Sequence, residues 1–260
     1  MTNQELLNIA MEQSAVDLCA EAADFKKSEN VVVTSRESDG ARRYLKLPFS
    51  CQLVSYGNNV VASVSPEFRE ITENYINQYP LEHLFETPNL HVLNEALMAK
   101  GQKICFMAEY FLPDVNVLTE RDAEDGIPYE LRLLTQADFA DLYLPEWSNA
   151  LCENRKHLDV LGVGAYDQGR LVGLAGCSAD CDTMWQIGID VLPEYRRQGI
   201  ASALTSRLAI EILNRGKVPF YCAAWCNVKS VRNAIRSGFR PSWVEMTAKS
   251  RELVEELNQK

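Results

Sequence analysis

Apolar and polar positions alternate most cleanly at residues 185–191, where Gln186, Gly188 and Asp190 separate Trp185, Ile187, Ile189 and Val191. That period of two predicts a β-strand. Pro193 and Glu194 end it, because proline has no N–H to give to a ladder. Gly199 then precedes Ile200, Ala201, Ala203, Leu204 and Leu208, an apolar set at helical spacing. The predicted unit is strand, turn, glycine and helix start. It aims several unpaired backbone N–H groups at one point, with the positive end of a helix behind them. Arg196 and Arg197 add side-chain charge there. The stretch reads as an anion cradle suited to a pyrophosphate.

The same pattern predicts elements along the rest of the chain. Leu6, Leu7, Ile9, Ala10, Val16, Leu18, Cys19 and Ala22 recur at helical spacing, so 3–26 is expected to form one amphipathic helix covering a sheet. A short strand at 31–34 stops at the turn-forming Ser38-Asp39-Gly40. More strand is expected over 44–56, interrupted by Pro48, and over 59–64 after a Gly57-Asn58-Asn59 turn. Helices are expected at 66–78, with Pro66 in the first turn, and at 89–100, closed by Gly101. A strand at 103–111 follows. Residues 119–128 are acidic and turn-forming and make the expected linker.

Beyond the linker, a strand at 129–134 leads to a helix capped by Thr135. A loop with a short helix fills 144–155. A hairpin joins strands 160–166 and 170–177 around Asp167-Gln168-Gly169. The helix from Ile200 ends near Arg215-Gly216, and a buried strand covers 218–225. A final strand near 243–247 precedes a helical tail at 251–260. Two domains are expected, 1–125 and 126–260. Val64-Ser65-Pro66-Glu67-Phe68-Arg69 echoes Val191-Leu192-Pro193-Glu194-Tyr195-Arg196, each after a strand and before a helix. The first half is thus either a diverged copy of the second or an α/β domain of coincidental pattern. No glycine follows Arg69 closely, so its backbone is not expected to approach a pyrophosphate.

Composition narrows the function. At 47% hydrophobic residues, the chain has the content of a globular core. The start of the chain shows no basic region before an apolar run, and no stretch reaches about 18 apolar residues. Neither a signal peptide nor a membrane span is expected, and a cytoplasmic location is. The net charge is −10. Residues 1–126 carry 10 basic and 20 acidic side chains, whereas 127–260 carry 16 of each. Such a surface repels a phosphate backbone, so nucleic acid is not an expected partner. Against that background Arg196, Arg197, Lys229, Arg232 and Arg236 stand out as a basic cluster flanking the cradle.

The eight cysteines, without a secretion signal, are expected to be reduced. Cys177 and Cys181, like Cys222 and Cys226, are four apart, or about 13 Å along a strand. That spacing does not suit zinc. They are expected to be small buried hydrophobes, and no metal is expected. His83, His91 and His157 stand in no arrangement with a cysteine that suggests nucleophilic catalysis.

Arg196-Arg197-Gln198-Gly199-Ile200-Ala201 resembles the acyl-CoA motif of the GNAT N-acetyltransferase superfamily, R/Q-x-x-G-x-G/A. The lead-in at 190–195, the second strand, Asn227 and the terminal Gly238-Phe239 follow in that family's order. The resemblance implies an α/β fold with a mixed, mostly antiparallel central sheet flanked by helices in the C-terminal half. A smaller α/β domain would precede it, either a GNAT-like half that has lost its site or an α/β domain of coincidental pattern. The implied activity is acetyl-CoA-dependent transfer of an acetyl group to a primary amine of a small acceptor. On that resemblance the N–H groups of Gln198, Gly199, Ile200 and Ala201 would take the pyrophosphate, with Arg196 and Arg197. Those of Ile189 and Val191 would meet the pantetheine and the carbonyl, and Asn227 and Ser230 would reach the pantetheine arm. The basic cluster would serve CoA phosphates.

The acid and base are less legible. Where many family members carry a tyrosine, four residues before the glycine of the G-F pair, this chain has Ala234; where others carry a glutamate early on the central strand, it has Trp185. Glu146 and Tyr221 are the candidate catalytic residues, with Tyr166 and Asp190 also considered; otherwise proximity and water suffice. Tyr143, Trp147 and Trp225 are either pocket walls or core. The alternative function is a non-catalytic acyl-CoA-binding or regulatory protein. A generic nucleotide fold lacks support, since the chain has neither G-x-G-x-x-G nor a Walker lysine motif. The first half would supply either a wall of the acceptor pocket or a face for a homodimer.

Overall fold

The computed structural model describes residues 1–119 and 127–259. Most of the expected linker, and the expected boundary at 125/126, lie outside them. The chain divides into two compact units, each drawn from separate stretches. One comprises Met1–Ile9 with Tyr110–Pro241, the other Ala10–Glu109 with Ser242–Lys260.

The unit containing Tyr110–Pro241 is built on β5 (Glu130–Thr135), β6 (Asp159–Asp167), β7 (Arg170–Ser178), β8 (Met184–Val191) and β9 (Val218–Ala224), with α4 (Ile200–Asn214) and α5 (Val228–Arg236). The strand order is β9-β8-β7-β6-β5. Neighbours from β5 to β8 pair antiparallel, and β8 pairs parallel with β9. A parallel pair needs a crossover, and α4 supplies it. Its Ile200, Leu204, Leu208 and Ile212 are fully buried against Val163, Val172, Ala175 and Ile187 of the strands. Each such aliphatic side chain contributes about 1.5–3 kcal/mol. The helix expected after Thr135 is only a 3₁₀ turn, Gln136–Phe139, held by Asp138 accepting from the Thr135 N–H and hydroxyl.

The other unit holds β1 (Val31–Thr34), β2 (Cys51–Ser55) and β3 (Val61–Val64), in the order β1-β3-β2. Next to β2 runs the part of β10 (Phe239–Ser250) from Val244 to Thr247. β1 and β3 are parallel, and the other two pairs antiparallel. α2 (Arg69–Gln78) and α3 (Thr87–Met98) add Ile76, Leu93 and Leu97 to its core. A strand β4 (Gln102–Pro113) and a short tail helix α6 (Arg251–Leu257) complete the elements apart from α1. Inside this unit Arg42 is ion-paired to Asp17 and, at 2.9 Å, to Glu245, all three buried. Trp243 and Gln52 also donate to Glu245.

α1 spans Asn3–Leu18 and not 3–26. Cys19 takes φ +60°, and the Ala20 N–H reaches back to the Ala15 carbonyl at 2.9 Å. That is a left-handed helix stop occupied here by cysteine instead of the usual glycine. The final strand, expected near 243–247, extends to Phe239–Ser250.

Candidate functional site

The strand–turn–helix stretch folds as its sequence implies. β8 ends at Val191, and Pro193–Tyr195 forms a single 3₁₀ turn. The Tyr195 hydroxyl donates to Asp167 at 2.8 Å and Arg170 pairs with Glu194 at 3.0 Å, so two ties from the β6–β7 hairpin fix this turn. Arg196 is extended, Arg197 takes φ +66°, and Gly199 caps α4 at φ +84°. The left-handed region disfavours residues with a Cβ, which is why a glycine stands at the cap. The first helical bond runs from the Ala203 N–H to the Gly199 carbonyl. The N–H groups ahead of it have no partner within the helix. A Cβ at Gly199 would meet no protein atom within 4 Å.

These residues open on a cavity of about 780 Å³ between α4 and α5. Val191, Pro193 and Ile200 give it an apolar side, and no carboxylate lines it. Five cations do: Arg196, Arg197, Lys229, Arg232 and Arg236. The Arg196 guanidinium also donates to the Val191 carbonyl at 2.9 Å, which ties the turn to the strand end. Of the residues expected to bind cofactor, Val191, Arg196, Arg197, Gly199, Ile200 and Ala201 come together here. Ile189 lies within β8, paired with Ala175, and the exposed Gln198 accepts from the Tyr129 hydroxyl at 2.5 Å. Tyr195, Ser202 and Asn233 also line the cavity, although none was expected from the sequence to bind cofactor. Asn233 was legible through helical spacing, four residues beyond Lys229.

β8 and β9 pair only over Met184–Gln186 with Val218–Phe220. Among the described residues no pairing continues to Ile187 or Tyr221, so the two strands part there. Tyr221 stands where they part. It is buried, its hydroxyl is 2.8 Å from Ser230 Oγ, and Asn233 also faces it. Burial raises its pKa above the ordinary tyrosine value, with Ser230 and Asn233 opposing the shift. The phenol therefore stays protonated at neutral pH. Asn227 caps α5, its side chain accepting from the Ser230 N–H at 3.2 Å. Ala234 is buried, and Trp185 packs against the core.

On the opposite flank, the segment at Asn149 and Ala150 crosses β8 so closely that a Cβ at Gly188 would sit 1.8 Å from the Asn149 carbonyl oxygen. Asp190 anchors that segment, accepting from the N–H groups of Asn149 (2.8 Å) and Ala150 (3.0 Å) and from the Asn149 side chain (2.6 Å). A carboxylate so engaged is poorly placed to act as a base. Glu146 is exposed on the 3₁₀ turn Pro145–Trp147 and does not line the cavity, while Trp147 is buried beneath it. Tyr166 stacks under the Arg132 guanidinium at 4.3 Å. Cys177 and Cys181 are buried, but Cys222 on β9 is half-buried and Cys226, past the end of β9, is exposed. Trp225 is exposed beside it. Among the described residues no group of three or more His, Cys, Asp or Glu is arranged to hold a metal ion, and no helix is long and apolar enough to cross a membrane.

The left-handed glycine turn after β8 and the cations of the turn and of α5 give this cavity a charge that suits an anion. The sequence profile of the GNAT acetyltransferase family matches residues 103–244, more than half of the chain, and the protein belongs to that family. No curated protein matches it significantly. Among solved structures, a GNAT-family protein from Novosphingobium aromaticivorans is similar at 19% identity and TM-score 0.44, covering 57% of this chain and 66% of its own. A GCN5-related N-acetyltransferase-like protein from Streptococcus suis is similar at 22% and 0.44, covering 64% and 69%. A Salmonella typhimurium protein solved with its cofactor acetyl-CoA is similar at 18% and 0.34, covering 47% and 93%. The chain thus spans just under two thirds of the Novosphingobium protein. Family membership rests on the profile match and not on these likenesses.

Proposed function

We propose that the protein is an acetyl-CoA-dependent N-acetyltransferase that acts on a primary amine of a small acceptor. The observation that supports this most is the open space over Gly199, facing a cavity lined by five cations and no carboxylate. A backbone free of Cβ lets phosphate oxygens approach the N–H groups of Gln198, Gly199, Ile200 and Ala201, with the α4 dipole behind them. Arg196 and Arg197 neutralise the same charge. The thioester supplies the activated acetyl group.

Past Gln186, where β8 has no β9 partner, backbone N–H groups of Ile189 and Val191 orient the pantetheine arm and stabilise charge on the carbonyl oxygen. Ser230 and Asn227 border the same gap. The Tyr221 hydroxyl, held by Ser230, is the proton source for the leaving thiolate. That thiolate is a good leaving group near neutral pH, so the acid has a small task. The Asn149–Ala150 segment walls the acceptor side, and Glu146, on the turn before it, takes the amine proton through water.

A non-catalytic acyl-CoA-binding role is the second reading, favoured by the buried Ala234 and the Trp185 that stand where acid and base are common in the family. Calorimetric titration with acetyl-CoA, followed by thiol release with a panel of primary amines, separates the two. Binding with release supports the enzyme. Binding without release across the panel selects the second reading, and absence of binding refutes both.

A further inference from the structure

Successive residues of a strand point to opposite faces of its sheet. Ile187, Ile189 and Val191 pack with α4, so Gln186, Gly188 and Asp190 lie on the other face of β8. Part of that face is closed. Gly176 and Gly188 are cross-strand partners, and the chain at Asn149–Ala150 lies directly on them. A Cβ at Gly176 would sit 2.2 Å from the Ala150 carbonyl oxygen, much as one at Gly188 would meet that of Asn149. An acceptor has no room over this glycine pair. What stays open is the side toward β9, next to the last β8–β9 pair, Gln186 with Phe220. Tyr221 packs with the α4 core, so Cys222 shares the face of Gln186. Both are half-buried, and Gln186 Nε2 donates to Cys222 Sγ at 3.1 Å. Ala224, two residues further on, is exposed. Among the described residues no group donates to Gln186 Oε1. A carboxamide carries two N–H donors and a carbonyl oxygen with two lone pairs. With its nitrogen held by Cys222, the oxygen is the group left for a ligand that enters here.

Resting on the acetyltransferase reading of this site, we infer that Gln186 holds the acceptor amine. Its side-chain carbonyl accepts one N–H of the primary amine and turns the nitrogen lone pair toward the thioester where β8 and β9 part. Such alignment lowers the entropic part of the barrier. A neutral amide suits this task better than a carboxylate would. A carboxylate at hydrogen-bond distance favours the ammonium form, which has no lone pair to attack with.

Two variants test this. Gln186→Met keeps the length of the side chain without its oxygen, and Gln186→Glu replaces the amide by a carboxylate. Thiol release is measured against the concentration of propylamine, putrescine and glycinamide, and acetyl-CoA binding by calorimetry. Gln186→Met should raise the amine KM about threefold to tenfold, the value of one hydrogen bond, with the Kd for acetyl-CoA within about twofold of wild type. Gln186→Glu should move the alkaline rise of kcat to higher pH, because the carboxylate holds the bound amine as ammonium. A merely structural role for Gln186 would not move that profile. An unchanged amine KM in Gln186→Met overturns the inference, and so does an unshifted profile in Gln186→Glu. An equal loss of acetyl-CoA affinity in Gln186→Met overturns it too, since Gln186 would then serve the cosubstrate. A wild type that binds acetyl-CoA but releases thiol with none of the amines refutes the acetyltransferase reading itself, and this inference with it.

Discussion

Gly199 and Gly216 stand at opposite ends of α4 with φ of +84° and +72°, and a Cβ at either would meet no atom within 4 Å. Alanine at each position therefore carries the same backbone penalty, about 1–2 kcal/mol for the left-handed region. The smaller entropy of the unfolded chain returns about 0.4–1 kcal/mol. Both variants should fold and lose roughly 1 kcal/mol, a fall in Tm of about 2–4 °C. Only Gly199 lines the cavity. Its methyl group would hold a phosphate away from the N–H groups of the turn. Losing one charge-assisted hydrogen bond of about 1.5–3 kcal/mol weakens acetyl-CoA binding roughly tenfold to a hundredfold. Scanning calorimetry checks that the two stability losses match, and isothermal titration reads the affinities. If Gly199→Ala binds acetyl-CoA within about twofold of wild type, or Gly216→Ala weakens binding as much, the cradle is not where ligand and backbone meet.

Other substitutions address the flanks. Gly188→Ala drives a methyl into the Asn149 carbonyl, so the backbone must shift at a cost of about 1–3 kcal/mol, measurable by urea unfolding; a neutral result would contradict the close crossing. Asp190→Ala strands two N–H groups and should cost about 1–3 kcal/mol while raising the amine KM more than it lowers kcat, whereas loss of the alkaline plateau in kcat would make Asp190 the base. Tyr221→Phe should lower kcat with little change in the Kd for acetyl-CoA, and an unchanged kcat would remove Tyr221 from proton transfer. Burial pushes the Asp159 carboxyl up to about 6, so the folded chain binds the extra proton and stability falls as the pH rises from about 4 to about 6. Asp159→Asn should flatten that part of the curve relative to wild type, and parallel curves would show that the carboxyl does not titrate there.

Local chemistry made the central motif legible. The alternation at 185–191, the proline after it and the glycine at 199 each act within a few residues, so β8, its turn and the start of α4 follow from sequence alone. The cation stripe on α5 was visible as a cluster too, because helical spacing is regular. The Pro66–Phe68 turn likewise repeats the Pro193–Tyr195 turn, and Arg69 donates to the Val32 carbonyl much as Arg196 does to Val191. In the first half, however, α2 starts directly at Arg69. With no left-handed glycine between turn and helix, no cradle forms there.

Tertiary structure decided what depends on partners distant in sequence. Asp190 reads as one more polar position on a strand, and only the fold brings Asn149 and Ala150 onto its carboxylate. Ser230 and Tyr221 are nine residues apart on different elements, and their hydroxyls meet because β9 leaves β8 after Phe220. α1 ends at Leu18 although apolar spacing continues to Ala22, since a left-handed Cys19 breaks the ladder and spacing does not report dihedral angles. Each compact unit recruits segments from separate parts of the chain, because burial rewards surfaces that fit and is indifferent to their order in the sequence.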